Sequence, residues 1–150
     1  MRRVPEATRI LAGVLAVALL AASCVTYVPM EEGETVRVER RFASRAYFQT
    51  DDHVEPNSIA DVLEKDYTTA RYARLYRSRM TAYGIVGLVG SLFMVGGAIT
   101  SAIFIDEPFA GLGLVGTGLV LHAVALPFFG SAHRALAEGV EVYNEALLSP

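Results

Sequence analysis

Two long apolar runs dominate the chain, separated by Asp106, Glu107 and Pro108. The first, from Gly84 to Ile105, holds no charged residue in 22 positions. As a helix it would extend about 33 Å, close to the hydrocarbon thickness of a bilayer. The second, Phe109 to Phe129, is about as long and contains one ionisable side chain, His122. Each holds eleven residues drawn from Leu, Ile, Val and Phe. Their insertion is worth roughly −3 to −6 kcal/mol per run before the glycines are discounted. The pattern predicts a transmembrane helical hairpin over 84–130, with Pro108 barring simple continuation of its first helix.

On either side the pattern becomes amphipathic. Ile59, Val62 and Leu63 recur at helical spacing after Pro56, with Asn57 or Ser58 as candidate caps. No Gly or Pro then interrupts the chain before Gly84, so one helix is expected over 58–83. Its Arg71, Arg74 and Arg77 drift slowly around one side, and Tyr72, Tyr76 and Tyr83 form a stripe suited to a membrane–water boundary. Over 131–150 a closing helix carries Leu136, Val140, Tyr143 and Leu147 on one face and Glu138, Glu141 and Glu145 on another. A turn near 107 gives antiparallel residues at equal height numbers that add to roughly 215. Arg71, Arg74 and Arg77 are thereby expected beside Glu145, Glu141 and Glu138, in exposed pairs worth about 0–1 kcal/mol each.

Small residues recur at four-residue spacing inside the apolar runs: Gly87 with Ser91, Gly97 with Ser101, and Gly113 with Thr117. Such spacing permits close backbone approach where lipid supplies no hydrophobic force, either within the hairpin or between copies. His122 is an intramembrane ionisable group and so a candidate for proton or ligand chemistry. A neutral histidine bonded to a carbonyl or a hydroxyl is the competing reading, since the span offers no acidic partner.

The N-terminal 23 residues read as an export signal: Arg2, Arg3 and Arg9, then the apolar run Ile10–Leu20, then Ala21, Ala22, Ser23 and Cys24. This stretch resembles the lipobox of bacterial lipoproteins, differing in having Leu20 one place earlier than usual and Ala21 in its position. The resemblance implies cleavage before Cys24 and lipidation of its thiol. Residues 24–57 then read as a lipid-anchored polar tether, poorly structured, with a reach of roughly 30 Å. Val36 and Val38 alternate with polar residues and hint at a short strand, for which no partner is evident. Asp51, Asp52, His53 and Glu55 suit an acidic solvated turn better than a metal site, and no metal or cofactor is expected.

Composition sharpens this picture. Hydrophobic residues make up 53% of the chain and charged ones 19%, more apolar than most water-soluble domains. One cysteine excludes an internal disulfide, and a net charge of −3 gives no support to nucleic-acid binding. The expected fold is an all-α membrane protein: a long antiparallel hairpin crossing twice, preceded by a signal peptide and a tether. The layout is similar to that of small Gram-negative envelope lipoproteins with an apolar helical hairpin. That similarity implies a membrane-anchored protein of the cell envelope, with its polar parts in the periplasm and the inner membrane favoured over the outer. The arginine cluster would then lie outside, against the positive-inside tendency; the export signal outweighs that bias. A structural or accessory subunit without catalysis is the leading functional reading, bound to membrane lipid and through the small residues to itself or another envelope protein. An oligomeric channel or transporter built from glycine-rich hairpins is the alternative. No Ser/His/Asp set, phosphate loop or pair of buried carboxylates points to an enzyme.

Overall fold

The computed structural model describes residues 26–41, 45–103 and 108–149. Three strands come first: β1 (Arg37–Arg40), β2 (Arg45–Gln49) and β3 (Asp52–His53), followed by α1 (Pro56–Lys65), α2 (Ala70–Ile103) and α3 (Pro108–Leu148). At 1.5 Å per residue, the 34 residues of α2 and the 41 of α3 extend about 51 and 61 Å. Both helices are long and apolar enough to cross a membrane, and they run antiparallel as a hairpin. Pro127 lies inside α3 without ending it.

A seven-residue repeat holds the hairpin together. Gly90 and Gly97 on α2 are seven apart, as are Gly111, Gly118, Ala125, Ala132 and Gly139 on α3, and all are buried. This is the period of a left-handed supercoil, with small residues where a coiled coil usually carries Leu or Ile. The backbones consequently approach closely. A Cβ on Gly97 would lie 2.6 Å from the carbonyl oxygen of Gly111, and one on Gly118 would lie 2.6 Å from that of Gly90. Gly87, Gly113, Gly116 and Gly130 have open space where a Cβ would project. Thus the four-residue pairs are split: Gly97 and Ser101 pack inside the hairpin, while Gly87 and Gly113 have open space beside them.

The residues read as a tether are folded. The strands form an antiparallel meander in the order β1-β2-β3, with Val38 opposite Tyr47 and Phe48 opposite His53. The turn between β2 and β3 carries Thr50 at φ 54°, a left-handed conformation that a β-branched residue rarely adopts. Two side-chain amides stand in for missing strands. Gln49 Oε1 accepts from the Glu31 N–H at 2.8 Å while its Nε2 donates to the Glu31 carbonyl at 2.9 Å. Asn144, on α3, treats Val36 the same way, at 3.0 and 2.8 Å. Tyr143 Oη accepts from the Gly33 N–H at 2.8 Å. The fold is therefore mostly helical rather than all-α, and the segment leading to α1 is pinned to the far end of α3.

The helix expected over 58–83 is also interrupted. It starts at Pro56, whose missing N–H costs nothing in the first turn, with Glu55 at the N-cap. Ser58, a candidate cap, instead donates to the Glu55 carbonyl and accepts from the Met30 N–H. After Lys65 the chain breaks: Asp66 accepts hydrogen bonds from both the amide and hydroxyl of Thr68, and Thr69 Oγ1 donates to the Leu63 carbonyl at 2.6 Å. Such local bonds offer the backbone an alternative to continuing a helix. They hold the Asp66 carboxyl below its usual range. With α1 turned back on α2, Ile59, Leu63, Tyr47, Val54, Tyr76, Leu136 and Val140 close one core. We call this end the head, and the uncovered helical pair beyond Tyr83 and Gly130 the stalk.

Candidate functional site

Cys24, the residue expected to carry lipid, lies outside the described residues. The expected ladder between Arg71, Arg74, Arg77 and Glu138, Glu141, Glu145 does not form among them. Arg77 binds Asp61 and Glu64 of α1 instead. The Arg71 guanidinium lies 4.5 Å from the ring centroid of its neighbour Tyr72. Arg74 and the three glutamates are exposed and make no ion pair among the described residues. Two causes are visible. The back-folded α1 brings carboxylates closer than α3 can. The register of the two helices also differs from that expected: Gly97 meets Gly111 and Gly90 meets Gly118, so residues at equal height have numbers adding to about 210. Arg74 is thereby level with the buried Leu136, not with Glu141.

Inside the stalk, His122 is fully engaged. Its Nδ1 lies 3.0 Å from the Gly118 carbonyl, which can only accept, so Nδ1 carries the proton. Nε2 then accepts from Ser91 Oγ at 3.4 Å. The ring fits because the facing residue is Gly90, where a Cβ would lie 2.6 Å from Nδ1. Thr100 and Thr117 donate to carbonyls four residues back on their own helices. Ser91, Thr100, Thr117 and His122 thus all have hydrogen-bond partners within the hairpin.

A different site emerges where the head meets the stalk. A cavity of about 430 Å³ opens beneath β2, walled by Tyr47, Tyr76, Phe129 and His133, with Arg41, Arg45 and Glu55 among its lining groups. β2 supplies Arg45 and Tyr47 two residues apart, so both side chains face the same side of the sheet. Tyr47 is almost fully buried, and its hydroxyl donates to the His133 carbonyl at 3.0 Å, with the ring Nδ1 of His133 at 3.4 Å. Phe129 packs edge-on against the His133 ring with centroids 4.5 Å apart, and Tyr76 does so at 5.9 Å. Burial pushes the phenols of Tyr47 and Tyr76 above their ordinary range, Tyr47 the more strongly. Burial, then the nearby Arg45 cation, holds His133 below the usual histidine value and so neutral.

Of these residues the sequence singles out only Tyr76, in a tyrosine stripe, and Glu55, in an acidic turn. Tyr47 and His133 are 86 positions apart, and neither belongs to a local motif. His53, grouped in sequence with acids, packs on Phe48 with ring centroids 4.2 Å apart. The chain matches no protein-family model, no curated protein and no solved structure.

Proposed function

We propose that the chain is a lipid-anchored envelope protein whose stalk crosses the membrane twice and whose head stands in the periplasm. It serves there as a structural or accessory subunit without catalysis, in the inner membrane. One observation carries the reading: the outer surface of the stalk is apolar and bare. Ile85, Leu88, Leu92, Leu119, Val120 and Leu126 are all more than half exposed, a surface that water disfavours and lipid accepts. Around the head the same helices carry charged residues outward and are covered by α1 and the sheet. The bonding of Ser91, Thr100, Thr117 and His122 inside the hairpin favours this reading over an oligomeric channel or transporter.

The folded N-terminal segment alters how the anchor works. Val28 pairs with Val54 in a β-bridge, so only four Cα–Cα steps separate this fixed point from Cys24. They reach at most about 14 Å, which ties a lipid on Cys24 close to the head instead of leaving the head on a long tether. Metabolic labelling with a fatty-acid analogue tests the anchor: wild type should be marked and Cys24→Ser should not. Equal labelling of both contradicts lipidation. Alkaline extraction tests the spans separately, because Cys24→Ser should remain in the membrane pellet through its stalk, and its release would contradict them.

A further inference from the structure

We propose that the cavity between head and stalk binds the phosphate of an acidic lipid headgroup, with Arg41 and Arg45 as the anion-binding pair. The first support is a like-charge contact in the sheet. Arg40 and Arg45 are direct cross-strand partners at the end of the β1–β2 pair, and Arg41 follows at once. Like charges placed opposite each other are destabilising unless an anion lies between or beside them. Among the described residues none of the three makes an ion pair, whereas Arg37 on the same strand is matched by Glu39. Glu55 is the one carboxylate lining the cavity, and it accepts from Asn57 Nδ2 at 3.4 Å. Two guanidiniums against one carboxylate leave the cavity formally cationic; of its two imidazoles, His53 and His133, the latter is held neutral by burial and by Arg45.

The second support is position, and it rests on the membrane reading above. Met80 and Phe129, which line the cavity, lie within a turn of the first uncovered residues of the stalk. This is the height at which phosphates of a bilayer surface would stand. Arg79 is at the same level, donating to the Ser131 carbonyl at 2.7 Å, and the exposed Arg134 is one turn above Gly130. Planar guanidiniums match phosphate oxygens in paired hydrogen bonds, which a point charge does not reproduce. A headgroup held between Arg41 and Arg45 would leave its acyl chains to run along the apolar stalk.

The test uses the full chain in nanodiscs of equal phosphatidylglycerol and phosphatidylcholine, re-extracted in mild detergent, with native mass spectrometry counting the lipids retained. Wild type should keep phosphatidylglycerol in preference, and the double variant Arg41→Gln/Arg45→Gln should keep about tenfold less. Arg45→Lys should fall between them. Inorganic phosphate added as competitor separates the sources: displacement identifies the phosphate group as sufficient, and persistence identifies the lipid, the site standing in both cases. Equal retention by wild type and a folded double variant overturns the proposal. So does wild-type retention that is unaltered from low to high salt, a measurement that needs no variant. A protein that stays in solution without detergent refutes the membrane reading; one that needs detergent but holds both lipids alike refutes only this site.

Discussion

Leu136 and Leu119 lie on the same helix about five turns apart, yet one is fully buried and the other 56% exposed. The difference is not in α3 but in what surrounds it. In the head, the pair of helices is wrapped by α1 and by a sheet held on by Gln49 and Asn144. Among the described residues the pair in the stalk touches only itself, and its cohesion comes from backbone approach at four glycines. The head is therefore stabilised by hydrophobic burial, as a water-soluble domain is. The stalk is stabilised by close contact between helices and, on the membrane reading proposed above, its outer faces gain nothing from hiding.

The largest effect that separates the two should come from trimming leucine. Leu136→Ala should destabilise the protein by about 2–5 kcal/mol, while Leu119→Ala should change stability by less than about 0.5 kcal/mol. Thermal unfolding in detergent, followed by circular dichroism, checks both. Comparable losses at the two sites would mean that the stalk is covered by something other than lipid.

Glycine substitutions sharpen the same contrast within the stalk. Gly97→Ala forces a methyl against the backbone of Gly111 and Val115, and should cost about 1–3 kcal/mol. Gly113→Ala, with open space beside it, should be neutral or gain up to about 1 kcal/mol from better helix propensity. Opposite signs for one chemical change on facing helices would follow directly from the seven-residue seam. Both glycines belong to four-residue pairs in the sequence, so a scan for that spacing alone expects them to behave alike.

That pair also shows how far the sequence could be read. Two apolar helices were legible because each is apolar over some twenty consecutive residues, which local composition records. The seam was present too, as Gly90 and Gly97 and then Gly111 to Gly139 in steps of seven, but glycines at four-residue spacing hid it. The head was not legible, because its core joins segments that no short pattern links. Tyr47 reaches His133 across 86 positions and Val36 reaches Asn144 across 108. Arg77 illustrates the same limit: its acidic partners lie on a helix that only the break at Asp66–Thr69 turns back.

Smaller effects belong to the head alone. Tyr47→Phe removes a buried hydrogen bond to the His133 carbonyl and should cost about 0.5–1.5 kcal/mol. The pH response follows from His133. Its folded-state pKa lies below the ordinary value of 6.5, so the unfolded chain binds the proton first. Stability contributed by the neutral ring is thus complete above pH 6.5 and is lost as the pH falls from there toward the lower folded value. Unfolding midpoints measured between neutral and mildly acidic pH should drop for wild type and stay flatter for His133→Phe. Tyr47 and Tyr76 have the opposite sense: their raised values withdraw stability as the pH climbs above 10. Least of all, Thr50→Gly should relieve the left-handed turn by a gain on the order of 0.5–1 kcal/mol, visible as a small rise in the same midpoint.

The central claim, that one helix pair passes from lipid into water at the head, is tested most directly by spin labels along α3. Labels placed singly at Leu112, Leu119, Leu126, Arg134, Glu138 and Glu145, all exposed positions, would sample its outer surface in lipid bilayers. Collision with oxygen, which concentrates in lipid, should be high at the first three sites. Collision with a water-soluble nickel chelate should take over at the last three, with the crossover between Leu126 and Arg134. High nickel access at Leu119, equal to that at Glu138, would contradict the account.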